Sequence, residues 1–472
     1  MRTNYSYNLR SWLKGVSSPL FSQTLNYQET INDIAPCYNG NISSLFWRTA
    51  QNNASNALIS SPEKGYGFTY DGLSRLKDAV YGEGTSLNQN RNRFNEQITG
   101  YDKMGNILGL LRYGQTGTDS YGLIDNLNLT YNGNQLESVY DNATNSVFGN
   151  GMEFKDNAHE TVEYAYDKNG NLTKDLNKNI TGIQYNILNL PSHITFADGN
   201  SIVYEYAADG SKVRTTHTIN DNVTSTVYCG NAVYENGVPK TLLTEAGFVS
   251  LNDRIYHYYL KDHQGNNRVV ADQNGTIEEV NHYYPFGGIF ASASSVQSYK
   301  YNGKELDRND GLDWYDYGAR HYDAMIGRWH TVDPSAAKYY RWDPYVYCKN
   351  SPVNRIDLDG KDDYTINSAG RLFRTVVEGS TSDRLMSTRS GVEPVTVNDK
   401  ELLSGMYVMQ DGKSGGLETY NSTSSLEDAA AVFKFGADNT SVEWKLDVYN
   451  DKGDKTAIIG TSGKEGSVFS DK

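Results

Sequence analysis

Short apolar runs, each closed by an aromatic residue and reopened by an aliphatic one after a polar turn, recur along the first three quarters of the chain. They read "YDGLSRL" from Tyr70, "YDKMGNIL" from Tyr101, "YNGNQL" from Tyr131, "YDKNGNLT" from Tyr166, "YNILNLPSHITF" from Tyr185 and "YEYAADGSKV" from Tyr204. A divergent copy, "YLKDHQGNNRVVADQNGTI", starts at Tyr259. The spacing predicts a strand that ends at the aromatic, a tight turn whose Gly or Asn takes positive φ, and a return strand opening on Leu, Ile or Val. One hairpin cannot bury its own aromatic face, so successive hairpins must join edge to edge. A continuous twisted antiparallel sheet over residues 60–350, its tyrosines on one inner face, is the expectation. An ordinary tyrosine-rich sandwich is the alternative.

The pattern changes after Gly360. "SSLEDAAAVFKFGADN" predicts a short helix with a capping box at Ser424 and Glu427 and a C-terminal cap at Gly436. In "SVEWKLDVYN" Val442, Trp444, Leu446 and Val448 alternate with Glu443, Lys445 and Asp447, the period of a half-buried strand. "NDKGDK" then turns it into "TAIIGT" as a hairpin. Tyrosine usage marks the same boundary: of 37 tyrosines only Tyr364, Tyr407, Tyr420 and Tyr449 follow Gly360.

A length of 472 residues allows two or three ordinary domains, and a net charge of -14 without a basic cluster argues against a nucleic-acid or anionic-membrane surface. Cys37, Cys229 and Cys348 are odd in number and far apart, so they read as free thiols. The first twenty residues lack the apolar core of a secretory signal, and no stretch is long and apolar enough to span a bilayer.

From Tyr301 to Gly360 runs "YNGKELDRNDGLDWYDYGARHYDAMIGRWHTVDPSAAKYYRWDPYVYCKNSPVNRIDLDG". With the Tyr-Asp units before it, this segment resembles the YD repeats and repeat-associated core of Rhs proteins in their Bacteroidetes form. The resemblance implies a mainly β fold: an antiparallel spiral sheet, here a partial cocoon, followed by a small α/β C-terminal domain. The boundaries it suggests are an N-terminal β segment 1–60 joining the repeat sheet, a YD-repeat shell 61–280, the core 281–360 and a variable C-terminal domain 361–472. It implies the C-terminal portion of a polymorphic toxin whose shell and core enclose their own C-terminal domain as cargo; the repeat region here is short for a full cocoon and is expected to make a partial shell, as in a fragment or a displaced cassette of a longer gene. An immunity protein and a secretion machinery are the implied partners, with no nucleic acid and no membrane span, and the full-length type is secreted or on the cell surface. The competing class is a non-enzymatic surface or cell-contact protein that binds carbohydrate or protein through a tyrosine-rich sheet. Within the core, aromatics should fill the interior, Gly318 and Gly327 should make bends, and Arg320 and Arg328 should pair with acids such as Asp316 or Asp323.

Related proteins cleave themselves just after the core with two aspartates, each in an Asp-Pro-x-Gly context. The motifs map to Asp333-Pro334-Ser335-Ala336 and Asp357-Leu358-Asp359-Gly360. Ala336 stands where Gly is expected and Leu358 where Pro is expected, which loosens the placement of both. An active pair would share one proton, one carboxylate activating water and the other protonated, with the scissile bond near Gly360 to Asp362. The bland reading makes Asp333 a turn cap and Asp357 part of a loop that closes the core. "DLDGKDD" lacks the ligand positions of a calcium loop.

The tail around "VFKFGADNTSVEW" is similar to the start of JAB-like toxin domains. In that family a glutamate on an early strand joins a His-x-His and a Ser-x-x-Asp on a catalytic zinc, and Glu443 alone could be carried over. All eight histidines lie at or before His330, so the tail cannot assemble that site, and neither metal nor cofactor is expected. His321 and His330 read as hydrogen-bonded packing residues.

Overall fold

The computed structural model describes residues 2–334 apart from 11, 33, 53–57 and 293–294, then 336 and 342–357, and beyond these only strand and helix segments between 363 and 461. Contacts divide the chain into one unit of Met1–Asp333 with Tyr340–Gly360, and a second of Pro334–Tyr339 with Lys361–Lys472.

Among the described residues the first unit is built from antiparallel ladders alone. An 11-stranded sheet runs from Asn4–Tyr7 to Gln135–Asp141, and a 14-stranded sheet runs from Tyr164–Tyr166 to Ile289–Ser292. A four-stranded sheet joins Glu305–Asp307, Trp314–Asp316, His321–Asp323 and Arg328–Trp329. Strands adjacent in sequence are almost everywhere adjacent in the sheet, the order that chained hairpins dictate.

The Tyr-Asp pair divides its labour between two directions. Asp102 Oδ1 accepts the backbone N–H groups of Met104, Gly105 and Asn106, each at 2.8 Å, and Asn106 Nδ2 donates back to Asp102 Oδ2 at 2.7 Å. Gly105 supplies the positive φ of +96° that closes this turn. Asp167 with Asn171, and Asp262 with Asn266, repeat the arrangement. The aromatic partner reaches the preceding hairpin: Tyr101 donates its hydroxyl to the Leu76 carbonyl at 2.6 Å, Tyr131 to Ile107 at 2.7 Å and Tyr185 to Leu172 at 2.6 Å. The ring fills the space between hairpins while its buried hydroxyl stays satisfied, which avoids the cost of an orphaned polar group.

A single unbroken sheet over 60–350 is not what forms. The ladder stops at Asp141 and resumes at Tyr164. The intervening chain turns inward: Met152 and Phe154 are buried, Met152 N donates to the Ile289 carbonyl at 2.7 Å, and Phe154 N donates to Asp125 Oδ1 at 2.9 Å. Among the described residues one backbone bond crosses the gap, from Glu163 N to the Glu137 carbonyl at 2.8 Å, and beside it Val139 N donates to Glu163 Oε2 at 2.9 Å and Leu136 N to the Tyr166 hydroxyl at 3.2 Å. The helical residues of the described part of that span are three single 3-10 turns, Tyr301–Gly303, Asn309–Gly311 and Cys348–Asn350.

The second unit is a mixed α/β fold. Asp363–Ile366 pairs antiparallel with Leu372–Thr375 and parallel with Asp383–Ser387. Trp444–Asp451 and Asp454–Thr461 form the expected hairpin. The helix Leu426–Asn439 buries Ala429, Val432 and Phe435, one stripe at three-residue spacing. It runs on through Gly436, which therefore lies inside the helix and not at its C-terminal cap. Ser424 and Glu443 lie outside the described residues.

Candidate functional site

Two glycines shape the core sheet. Gly318, at φ +92°, turns Trp314–Asp316 into His321–Asp323, and Gly327, at φ +66°, turns that strand into Arg328–Trp329. A side chain at Gly327 would press on the Phe286 ring at 3.1 Å and on Ile107 at 3.2 Å, so the bend is also a close approach between core and shell.

Arg320 follows the first of these turns and is only 2% exposed. Its guanidinium lies over the Trp329 ring, 4.3 Å from the centroid. Nη2 donates to Asp357 Oδ2 at 3.0 Å, and Nη1 is 3.3 Å from Asp333 Oδ2. The two candidate aspartates, one directly after the last core strand and the other where the core is left, thus converge on one buried cation. Asp333 is further fixed by its N–H, which donates to the Pro344 carbonyl at 3.0 Å. A guanidinium between two carboxylates offsets their mutual repulsion, an arrangement different from two acids placed directly against each other. Beside them, burial pushes the Cys348 thiol up, and the Asp357 charge adds to this, so the sulfur stays protonated. Residues 358–362, including Leu358, Gly360 and the expected scissile bond, lie outside the described residues, as does Ser335.

The local pairings expected of the core arginines do not form. Arg328 pairs with Asp343 at 2.9 Å and donates to Asn106 Oδ1 at 2.9 Å, while Asp316 pairs with Lys212 at 2.5 Å and Asp323 with Lys178 at 3.2 Å. Each acid turns to a lysine on the shell, because a buried charge needs a partner wherever the fold brings one and sequence neighbours have no priority. Arg112 does the same from the shell side. Wholly buried, it pairs with Glu96 at 3.0 Å and with Asp125, and donates to the Met325 carbonyl of the core at 3.1 Å. None of these partners carried a local signal in the sequence. His330 and His321 pack against Trp314, with ring centroids 3.9 and 6.1 Å away. Burial depresses the pKa of both, and His321 Nδ1 and His330 Nε2 have no hydrogen-bond partner, so at these atoms they are packing groups only.

Among the described residues no cluster of His, Cys, Asp and Glu could hold a metal ion, and no helix is long and apolar enough to cross a membrane. Cys37, Cys229 and Cys348 are free thiols.

Residues 421–472 match the profile of the JAB-like toxin 1 family. The chain is also 29% identical over 176 residues to toxin subunit YenC2 of Yersinia entomophaga, an overlap of 32% of this chain and 18% of that protein. The chain is Rhs-like, with a JAB-like toxin segment from residue 421. Salivary gland surface protein 1 of Aedes aegypti is 30% identical over 224 residues, 42% of this chain and 6% of the relative. The chain therefore spans a small part of the length of the relatives it matches. The crystal structure of TcdB2-TccC3-Cdc42 aligns over 76% of this chain and 21% of its own, at 17% identity and a TM-score of 0.44.

Proposed function

We propose that this chain is the shell-and-core portion of an Rhs-type polymorphic toxin, which carries its C-terminal α/β domain as cargo and releases it by cutting itself after the core. The observation that carries the reading is the convergence of Asp333 and Asp357 on Arg320, at the point where the chain leaves the core. A carboxylate takes a proton from water as the oxygen attacks the scissile carbonyl, and the guanidinium stabilises the oxyanion that develops. The same carboxyl, now protonated, returns that proton to the departing amide nitrogen as the oxyanion collapses and the C–N bond breaks, while the other carboxylate keeps the guanidinium in place. Secretion machinery and an immunity protein are the partners this function needs, and the route leads out of the cell.

Purified protein should resolve into two pieces, about three quarters and one quarter of the chain by the position of the cut, and Asp333→Asn or Asp357→Asn should restore one band. A wild-type chain that stays whole on prolonged incubation would mean that Ala336 and Leu358 leave the core as a structural plug. The surface-protein reading draws less support: Tyr101, Tyr131 and Tyr185 turn their hydroxyls to neighbouring hairpins and so offer no open aromatic face.

A further inference from the structure

One cavity of the first unit takes no part in that chemistry. It has a volume of about 310 Å³ and opens between the strands Tyr204 to Glu235 of the 14-stranded sheet and the core residues Glu305 to His321. That is the lower end of the size range of small-molecule sites. Its polar wall is already organised. Lys212 pairs with Glu305 at 2.9 Å and with Asp316 at 2.5 Å, and the Tyr228 hydroxyl donates to Glu305 Oε1 at 2.8 Å. Across the cavity His217 Nε2 meets Asp307 Oδ2 at 2.7 Å, while Asn309 donates to Asp307 Oδ1 through its backbone N–H at 3.0 Å and through Nδ2 at 2.8 Å. Two further wall residues, Tyr204 at 4% exposure and Trp314 at 1%, keep a hydroxyl and an indole N–H without a protein partner.

We infer that this cavity is a binding site for a neutral polyhydroxylated ring the size of a monosaccharide or small disaccharide. Charge selects the class. Four carboxylates, Glu235, Glu305, Asp307 and Asp316, outnumber the one lysine in the wall, so an anion is repelled. Each carboxylate is held by a donor of the protein, and a cationic ligand would meet the Lys212 ammonium already seated between two of them. What remains free is directional acceptor capacity, since a carboxylate oxygen accepts more than one hydrogen bond. Sugar hydroxyls are the donors that use it without bringing charge, and the threonine hydroxyls of Thr224 and Thr226 in the wall can both donate and accept. This site is independent of the self-cleavage reading and stands or falls separately.

The test is calorimetric titration of the full chain with glucose, galactose, N-acetylglucosamine, lactose and maltose, with putrescine and inorganic phosphate as charged comparisons. Saturable binding of at least one neutral sugar is expected, and none of phosphate. Asp307→Asn should weaken it about tenfold, the scale of one charge-assisted hydrogen bond. Thr226→Trp, which fills the cavity and leaves every ion pair intact, should abolish it, with circular dichroism confirming the fold of both variants. Binding by none of the sugars, binding of putrescine alone, or sugar binding unchanged in Thr226→Trp would each overturn the assignment.

Discussion

Arg320 donates to Asp357 across 3.0 Å while its other terminal nitrogen lies 3.3 Å from Asp333, so a single guanidinium bridges the two acids that end the core. Replacing it leaves two carboxylates facing each other in a partly buried site. For Arg320→Gln their mutual repulsion raises the pKa of one acid above its unfolded value. A raised carboxyl is bound more tightly by protons in the folded state, so stability rises as pH falls. Denaturant unfolding at about pH 5 and about pH 7.5 should show the variant much weaker than wild type at the higher pH and closer to it at the lower. Equal losses at both would mean that the two acids do not feel each other.

The wild-type chain carries the same sign of dependence elsewhere. Burial pushes the carboxyls of Asp175 and Asp125 up to about 7 despite the nearby Lys178 and Arg112. Both groups bind protons in the fold before they do in the unfolded chain, so their contribution is present at acid pH and is lost as pH rises through 7. His282 and His330 act in the opposite sense, since burial keeps them neutral and their contribution falls as pH drops below the ordinary histidine value. Asp175→Asn isolates the first effect: it should change stability least near pH 4, stabilise the protein most at pH 7 and above, and flatten the fall of melting temperature between about pH 4 and pH 7.

Arg112 ties both faces of one seam. It is buried with Glu96 and Asp125 and donates to the Met325 carbonyl. Arg112→Met strands two buried carboxylates and a core carbonyl, and the loss expected from breaking a buried pair is about 3–5 kcal/mol. Denaturant midpoints measure it. A triple change that also makes Glu96→Gln and Asp125→Asn should recover part of the loss, because the uncompensated charges then disappear.

How far the chain could be read from its sequence follows from the range of each interaction. The hairpins were legible because every part of one, the Asp102 acceptor, the Gly105 turn and the Asn106 donor, lies within five consecutive residues. The inward turn at Met152 and Phe154 was not, since it depends on the distant Ile289 and Asp125. Arg320 was legible as a buried partner for acids, but its neighbour Asp316 goes to Lys212 and its real partners sit on later loops. Asp333 and Asp357 carry a signal only through the resemblance of the core to Rhs proteins, whose Asp-Pro-x-Gly contexts they match in part. The polar cavity was invisible, because Lys212, Asp307 and Tyr228 meet only when the core sheet lies against the shell. In the tail a capping-box pattern announced the helix, whereas one glycine was a weaker stop signal than the packing of Phe435 just before it.

The join between repeat turn and core yields the last prediction. Asn106 is a shared node: Nδ2 donates to Asp102 Oδ2 at 2.7 Å and to Asn134 Oδ1 at 3.1 Å, and Oδ1 accepts from Arg328 at 2.9 Å. Arg328 in turn pairs with Asp343 and lies over the Tyr131 ring, 4.8 Å from its centroid. Asp102→Ala removes the acceptor of three backbone N–H groups and frees the Asn106 amide to rotate away from Arg328. Arg328→Gln removes the other partner of the same amide. If the two act through Asn106, their costs cannot add: once one has released the amide, the second has less to lose. A double-mutant cycle on denaturant unfolding should return a coupling of roughly 0.5–3 kcal/mol, the range for residues in one network. The pair Asp262→Ala and Arg328→Gln, where the same turn geometry serves a different hairpin, should instead be additive within about 0.5 kcal/mol. Additivity in the first pair would mean that turn and core are held independently, and the Tyr-Asp turns would then be local devices with no part in seating the core.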